Sequence, residues 1–333
     1  MNLRDLKTVT IKPGTFLLGS QIQREPRTKV IITRGFDMLT TPVTQELFLK
    51  VMGENPSAHQ GAAGATTADE DNTSDNLASM RAGTFRLTGD NALCRPVENV
   101  SWLDAIRFCN TLSKLSGLTP AYTIDGENVS WPDKECDGWR LPTYCEAEYA
   151  CKAGTTTDFF FGNALHTPEN TPDVRTRLGA PDPRLADYAW YGHNAHAGQT
   201  NKYGRWITFT MPVGLKLPNP WGLYDIIGNV KEWVWDLAKR HPKFLVDVKN
   251  QNYKTALEVS DPDGPSLTPW ENKDRKARAF KGAAYHSIAS ENHSADDSSD
   301  GSSSAAPDIG FRVVRTNALR MKDPHAPYRL TLQ

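Results

Sequence analysis

Apolar and polar positions alternate at the start of the chain. In TVTIKPGTFLLGS, residues 8–20, the alternation breaks at Pro13-Gly14 and resumes, which predicts a strand, a turn and a second strand. KVIITRGFDML, residues 29–39, predicts one further strand. The period then lengthens to that of a helix in three places, each with both ends marked. Leu47, Phe48, Val51 and Met52 share a face, with Thr44 as N-cap and Gly53 as the stop. Trp102, Ala105, Cys109 and Leu112 follow the same spacing, with Ser101 and Asp104 at the start and Gly117 at the end. Ala147, Ala150 and Cys151 turn inward between the capping box Thr143/Glu146 and Gly154.

Between these elements the pattern fails twice. Residues 58–92 are small and polar and read as a loop insertion; residues 237–275 are long and charged and read as irregular structure or a short hairpin. From residue 185 onward the text becomes aromatic and strand-like, and Trp221, Tyr224, Trp233 and Trp235 fall within fifteen residues. A core of aromatic rings threaded through turns follows from that density. No internal repeat is visible, so residues 1–333 read as a single domain carrying two insertions.

Composition narrows the function classes. With 38 basic and 39 acidic residues the net charge is −1, which argues against a dedicated nucleic-acid surface. No apolar run reaches the length of a membrane helix. The first twenty residues lack the apolar centre of a signal peptide, so the chain is expected either inside the cell or supplied without its export segment. The five cysteines, Cys94, Cys109, Cys136, Cys145 and Cys151, show no zinc spacing and read mostly as small buried residues; at most two disulfides are possible.

Five phrases in order carry a resemblance: TTPVTQELFLKVMGENPS, RPVENVSWLDAIRFCNTLSKLSG, WRLPTYCEAEYACKAGT, NPWGLYDIIGNVKEWVWD and DIGFRVVR. Together, over residues 7–316, they resemble the formylglycine-generating-enzyme, or sulfatase-modifying-factor, domain. The resemblance implies an α+β variant of the C-type lectin fold, loop-rich with little regular secondary structure. It does not carry the activity with it. Enzymes of the family bind copper through a cysteine pair placed just before the final GFR, and a soft metal wants thiolates. Here the last cysteine is Cys151 and none lies between Lys281 and Arg315. Related iron enzymes need three histidines, whereas the eight histidines here are scattered. The expectation is therefore a protein that is not an enzyme.

The segment before GFR is unusual in what it does hold. Of the 24 residues from Tyr285 to Asp308, eight are Ser, four Asp and four Ala. Such a composition suits a surface loop. Yet it lies between AFKGA and IGFRVV, which match the family's last core strands, where relatives carry functional residues. If every codon descended from an asparagine codon ending in C by replacement of its adenines, all amino acids except Lys, Gln, Glu, Met and Trp would be reachable. Only Glu291 falls outside that set. The pattern resembles the variable region of a diversity-generating retroelement. That resemblance implies a bacterial ligand-binding variable protein, displayed at the cell surface, whose residues 283–308 are diversified to change specificity. The contact residues expected are Tyr285, His286, Ile288, Ser290, Asn292, His293, Asp296, Asp297, Ser299, Asp300, Ser302 and Ser303. Aromatic and His side chains would supply area, and Ser, Asn and Asp adaptable hydrogen bonds. The ligand is expected to be a protein or other macromolecule, basic or polar to match an acidic patch.

Other constellations compete. Asn229 and Glu232 in GNVKEW could ligate calcium, against a structural reading as a turn-and-strand junction with Glu232 bonding backbone. DPDGP, residues 261–265, reads as two turns before it reads as a calcium loop. His286, Ser287 and Asp296 include hydrolase residue types, but a polar run produces such sets by chance. Arg312 within GFRVVR should pair with a carboxylate. Two rivals to ligand binding stand: a metal-dependent oxidase with an atypical site, and a structural or regulatory domain of the same fold.

Overall fold

Thr44, Ser101 and Thr143 cap three helices. Each side-chain oxygen accepts an N–H of the first turn, from Leu47, Asp104 and Glu146 respectively. In the second and third the acidic residue reaches back, completing a capping box. The computed structural model describes residues 6–20, 27–60, 92–162, 182–200, 206–237, 258–261 and 277–321. In chain order the elements are β1 Thr8–Ile11, β2 Gly14–Leu18, β3 Thr28–Ile32, β4 Arg34–Leu39, α1 Gln45–Met52, α2 Trp102–Leu115, β5 Thr123–Asp125, β6 Asn128–Ser130 and α3 Tyr144–Lys152. They continue with α4 Pro183–Tyr188, β7 His196–Thr200, β8 Trp206–Thr208, β9 Lys231–Leu237, β10 Glu258–Ser260, β11 Ala277–Lys281, β12 Asp297–Gly301, β13 Ile309–Phe311 and β14 Val314–Arg320.

Three small sheets and two hairpins share this list. The sheets run β1-β4-β14, β10-β3-β2 and β12-β11-β9-β13. The hairpins are β5-β6 and β7-β8. Among the described residues the arrangement is α+β and loop-rich with little regular secondary structure, as the resemblance implies.

Several expectations need correction. The strands at 8–11 and 14–18 exist, but they join different sheets: β1 pairs with β4, and β2 with β3. The single strand expected at 29–39 is two. Thr33 divides them because its N–H donates to Asp261 Oδ1 at 2.6 Å, outside any ladder. Asp261, from DPDGP, thus holds a strand break; residues 262–265 lie outside the described residues. Residues 183–188 form a helix capped by Asp182, not strand. The third helix ends on Ala153 in the left-handed region, one residue before Gly154. Most of the two expected insertions, residues 61–91 and 238–257 with 262–276, also lies outside the described residues; β10, within the second, pairs in parallel with β3.

The core is aromatic, as expected. Phe48, Phe108 and Phe311 meet with centroids 5.1–6.2 Å apart, one pair stacked and two edge-on. Tyr122 stacks on Trp235, which also meets Trp102 and Trp131. Arg278, at the start of β11, lies over the Trp102 ring. Of the five cysteines, four are buried and Cys94 is half-buried; none is in a disulfide.

Candidate ligand-binding surface

Residues 282–308 are irregular except for β12 and a one-turn 3₁₀ helix at Ala289–Glu291, yet their main chain is bound to the scaffold along its length. Tyr285 N–H donates to the Asn229 carbonyl, and Gly192 N–H to the Ser287 carbonyl. Ser294 N–H donates to the Asp158 carbonyl. Beyond β12, Leu103 N–H in the first turn of α2 donates to Ser302, and Asn99 N–H to Ala306. Lys231 N–H closes the segment on the Asp308 carbonyl. A chain tied down this way satisfies its buried backbone groups without regular structure.

The side chains fall into three sets. Ser290, Glu291, Asp297, Ser298, Ser299, Asp300, Ser303 and Ala305 are exposed. His286, Ile288 and Asp296 are half-buried. Tyr285, Asn292, His293 and Ser302 are buried, together with Ser287, Ala289, Ser294 and Ala295. Four of the twelve contact residues expected from the sequence are thus in the interior. The physical reasons are visible. The Tyr285 ring lies edge-on to His59 at 5.1 Å, inside a cluster with Ala195, Phe209, Met211 and Ala284. Asn292 Nδ2 donates to the Ile288 carbonyl and closes the 3₁₀ turn. His293 packs edge-on to Phe159. Ser302 sits where the chain meets α2. Ser298 and Glu291, not among the expected residues, are exposed beside the retained ones.

Beneath the patch lie buried charges. Glu148 on α3 is fully buried and takes Lys281 at 3.0 Å, Lys152 at 3.7 Å and the N–H of Gly19. Burial alone would lower the Lys281 ammonium; the Glu148 carboxylate, then Asp297, raises it instead. At the other end, Asp308 Oδ2 accepts from Lys231 at 2.9 Å and meets His286 Nε2 at 3.1 Å. Burial opposes ionisation of Asp308, but these two partners hold it below the usual carboxylate range. Burial also pushes Asp296 up to about 7. Burial, then Lys281, pulls His293 down to about 4.

The competing constellations resolve into structure. Asn229, with positive φ, is the tie of a turn: Oδ1 accepts Met211 N–H at 3.0 Å, while Nδ2 donates to the Met211 carbonyl and to Asp225. Among the described residues the Glu232 carboxylate bonds a side chain, not backbone. It pairs with Arg312 at 3.0 Å, the carboxylate expected for that arginine. Both calcium candidates therefore spend their oxygens on the protein. His286 meets Asp308, Ser287 Oγ accepts Ala284 N–H, and Asp296 lies 4.0 Å from His293, so the three hydrolase-type residues have other partners. Among the described residues no group of three or more His, Cys, Asp or Glu could hold a metal.

Comparison with known proteins agrees with this architecture. The model of the sulfatase-modifying factor enzyme 1-like domain matches residues 3–317. A Paenibacillus barcinonensis protein named chaperone protein LppX is 31% identical over 60% of this chain and 61% of its own length. The Mus musculus formylglycine-generating enzyme is 28% identical over 66% of this chain and 44% of its own length. The chain thus spans less than two thirds of these curated relatives. Among solved structures, Treponema denticola variable protein 1 superposes with a TM-score of 0.64 at 25% identity, covering 93% of this chain and 95% of that one.

Proposed function

We propose that this chain, which belongs to the sulfatase-modifying-factor family, is a binding protein and not an enzyme, and that the solvent-facing part of residues 283–308 selects its ligand. One observation carries the reading: the main chain of the segment is fixed to the scaffold at both ends and in the middle, while eight of its side chains stand in solvent. Side chains that supply no packing are free to change; Asp297 is the exception, since its carboxylate accepts a hydrogen bond from Tyr144 and raises the buried Lys281. The similarity to a solved structure named a variable protein supports the same role. So does the absence of cysteine between Lys281 and Arg315. Of the thiols present, burial pushes Cys151 up to about 11 and Cys145 well above the ordinary range, the reverse of what a thiolate ligand needs.

The contact set we propose is Ser290, Glu291, Asp297, Ser298, Ser299, Asp300 and Ser303, flanked by His286, Ile288 and Asp296. Adenine-directed retroelement diversification accounts for the composition, and a protein or other macromolecule on a bacterial surface display fits the role. The genomic test is a near-identical repeat downstream of the gene, with adenines at the differing positions, beside a reverse transcriptase; its absence removes that mechanism. The protein test is a library randomised at Ser290, Ser298, Ser299, Asp300 and Ser303. Most members should fold and different members should capture different targets. A library that mostly fails to fold refutes the proposal. Stoichiometric copper binding in a titration would restore the oxidase reading.

A further inference from the structure

β12 is the end strand of its sheet: among the described residues its strand partner is β11, and no strand pairs with its other side. The phase of the ladder can be fixed. Gly282 N–H donates to the Asp296 carbonyl at 3.0 Å. Bonded and non-bonded pairs alternate in an antiparallel ladder, so the main-chain groups of Ser298 and Asp300 face Phe280 and Arg278, and those of Ser299 face outward. Gly301 behaves as an outward residue does without a strand beside it. Its N–H turns to Asp300 Oδ1 at 2.7 Å, and its carbonyl takes Ser304 N–H at 3.0 Å.

An open edge is a template for another strand, and proteins blunt such edges with proline, lysine, a bulge or a covering element. β12 has neither lysine nor proline, and the side chains of Asp297, Ser298, Ser299 and Asp300 are all exposed. Its own charges select the partner. Asp297 and Asp300, with Glu291 nearby in the chain, would repel the same edge of a second copy and attract cations.

We propose that the outward edge of β12 receives an extended, lysine- or arginine-bearing segment of the ligand as an added strand. The inference rests on the binding role proposed above and supplies its geometry. Main-chain hydrogen bonds are blind to side-chain identity, so they stay constant while residues 297–303 vary; the varied side chains then choose among partner sequences. A patch rebuilt in every variant gains from one contact that rebuilding does not touch.

The probe is a blocked heptapeptide of alternating Lys and Val, followed by fluorescence anisotropy, beside an analogue N-methylated at every residue with the same charge. The native protein should bind the plain peptide and bind the analogue at least about tenfold more weakly, because methylation removes the donors from both edges. Ser299→Pro should weaken the plain peptide by a similar factor, since it takes away the outward N–H and sets a ring on the edge. The fold should persist, because proline is tolerated where a strand's N–H faces solvent. Ser299→Ala, which changes the side chain but keeps the outward N–H, should weaken the plain peptide clearly less than Ser299→Pro does. If Ser299→Pro does not fold, the two peptides against the native protein decide alone. Equal affinity for both peptides, or binding of neither, overturns strand addition. Equal affinity that is lost in Asp297→Asn/Asp300→Asn would leave the patch a binding surface that reads side chains only.

Discussion

Arg312 shows how much one residue can organise. It is fully buried, pairs with Glu232, and donates to the carbonyls of Leu39, Tyr224 and Asp225. A planar five-donor fork can serve three strands and loops at once, which a lysine cannot. Arg312→Leu should cost about 3 kcal/mol in a denaturant titration, because it leaves a largely buried carboxylate and three carbonyls without their donor. A loss below about 1 kcal/mol would mean water replaces the fork. His293 is held to about 4 by burial and Lys281, below its ordinary 6.5. A lowered folded-state value means that the unfolded chain binds the proton more readily. The stabilisation is complete above pH 6.5 and is lost as pH falls toward 4. Asp296, pushed up to about 7, works in the opposite sense over nearly the same range. His293→Gln should therefore flatten the fall of Tm between pH 7 and pH 4; an unchanged slope would show that His293 titrates normally.

At the scale of elements, chain ends explain what could be read in advance. The helices at Gln45–Met52, Trp102–Leu115 and Tyr144–Lys152 were legible because capping is a local bargain between neighbours. Thr143→Ala should cost about 1–2 kcal/mol, as Thr143 caps α3 while Glu146 also holds Arg140 at 2.6 Å. Equal stability by chemical denaturation would contradict that. The division of β3 from β4 was not legible, since Thr33 is turned out of the ladder by Asp261, 228 positions away. Nor was the partition of the segment after β11. A strand or helix announces its inner face by its period, but residues 282–296 have none, so Tyr285, Asn292 and His293 gave no sign of pointing inward. Their residue types misled for the same reason: tyrosine, asparagine and histidine serve a binding surface and a polar interior equally well. The end strand β12 was hidden too, because Asp-Ser-Ser-Asp-Gly has the composition of a turn. It forms because Arg278 and Phe280, bound to the aromatic core, present a ladder for it.

Across the whole molecule, stability and variation occupy different places. Large rings fill the space between α1, α2 and the sheet of β9, β11 and β13, and this packing is made by Phe48, Phe108, Phe311, Trp102 and Trp233. Gly310 allows β13 to lie against the chain at Val97, whose carbonyl would be 2.3 Å from an added Cβ. The GFR phrase is thus a structural lock: glycine for close approach, phenylalanine for the core, arginine for the fork. Upstream of it the same chain carries a surface that the lock does not need.

The division is tested most directly by two exchanges in the same protein, with Tm read by scanning calorimetry. In one, Ser290, Ser298, Ser299, Asp300 and Ser303 are replaced together by other residues reachable from an asparagine codon. In the other, only Tyr285, Asn292 and His293 are. The first should leave Tm within about 3 °C of the native value, since exposed positions each contribute within about 0.5 kcal/mol. The second should lower it by about 5 °C or more, through a cavity and unpaired polar groups. Comparable losses from both exchanges would contradict the account, because the outer residues would then be holding the fold and could not be free to vary.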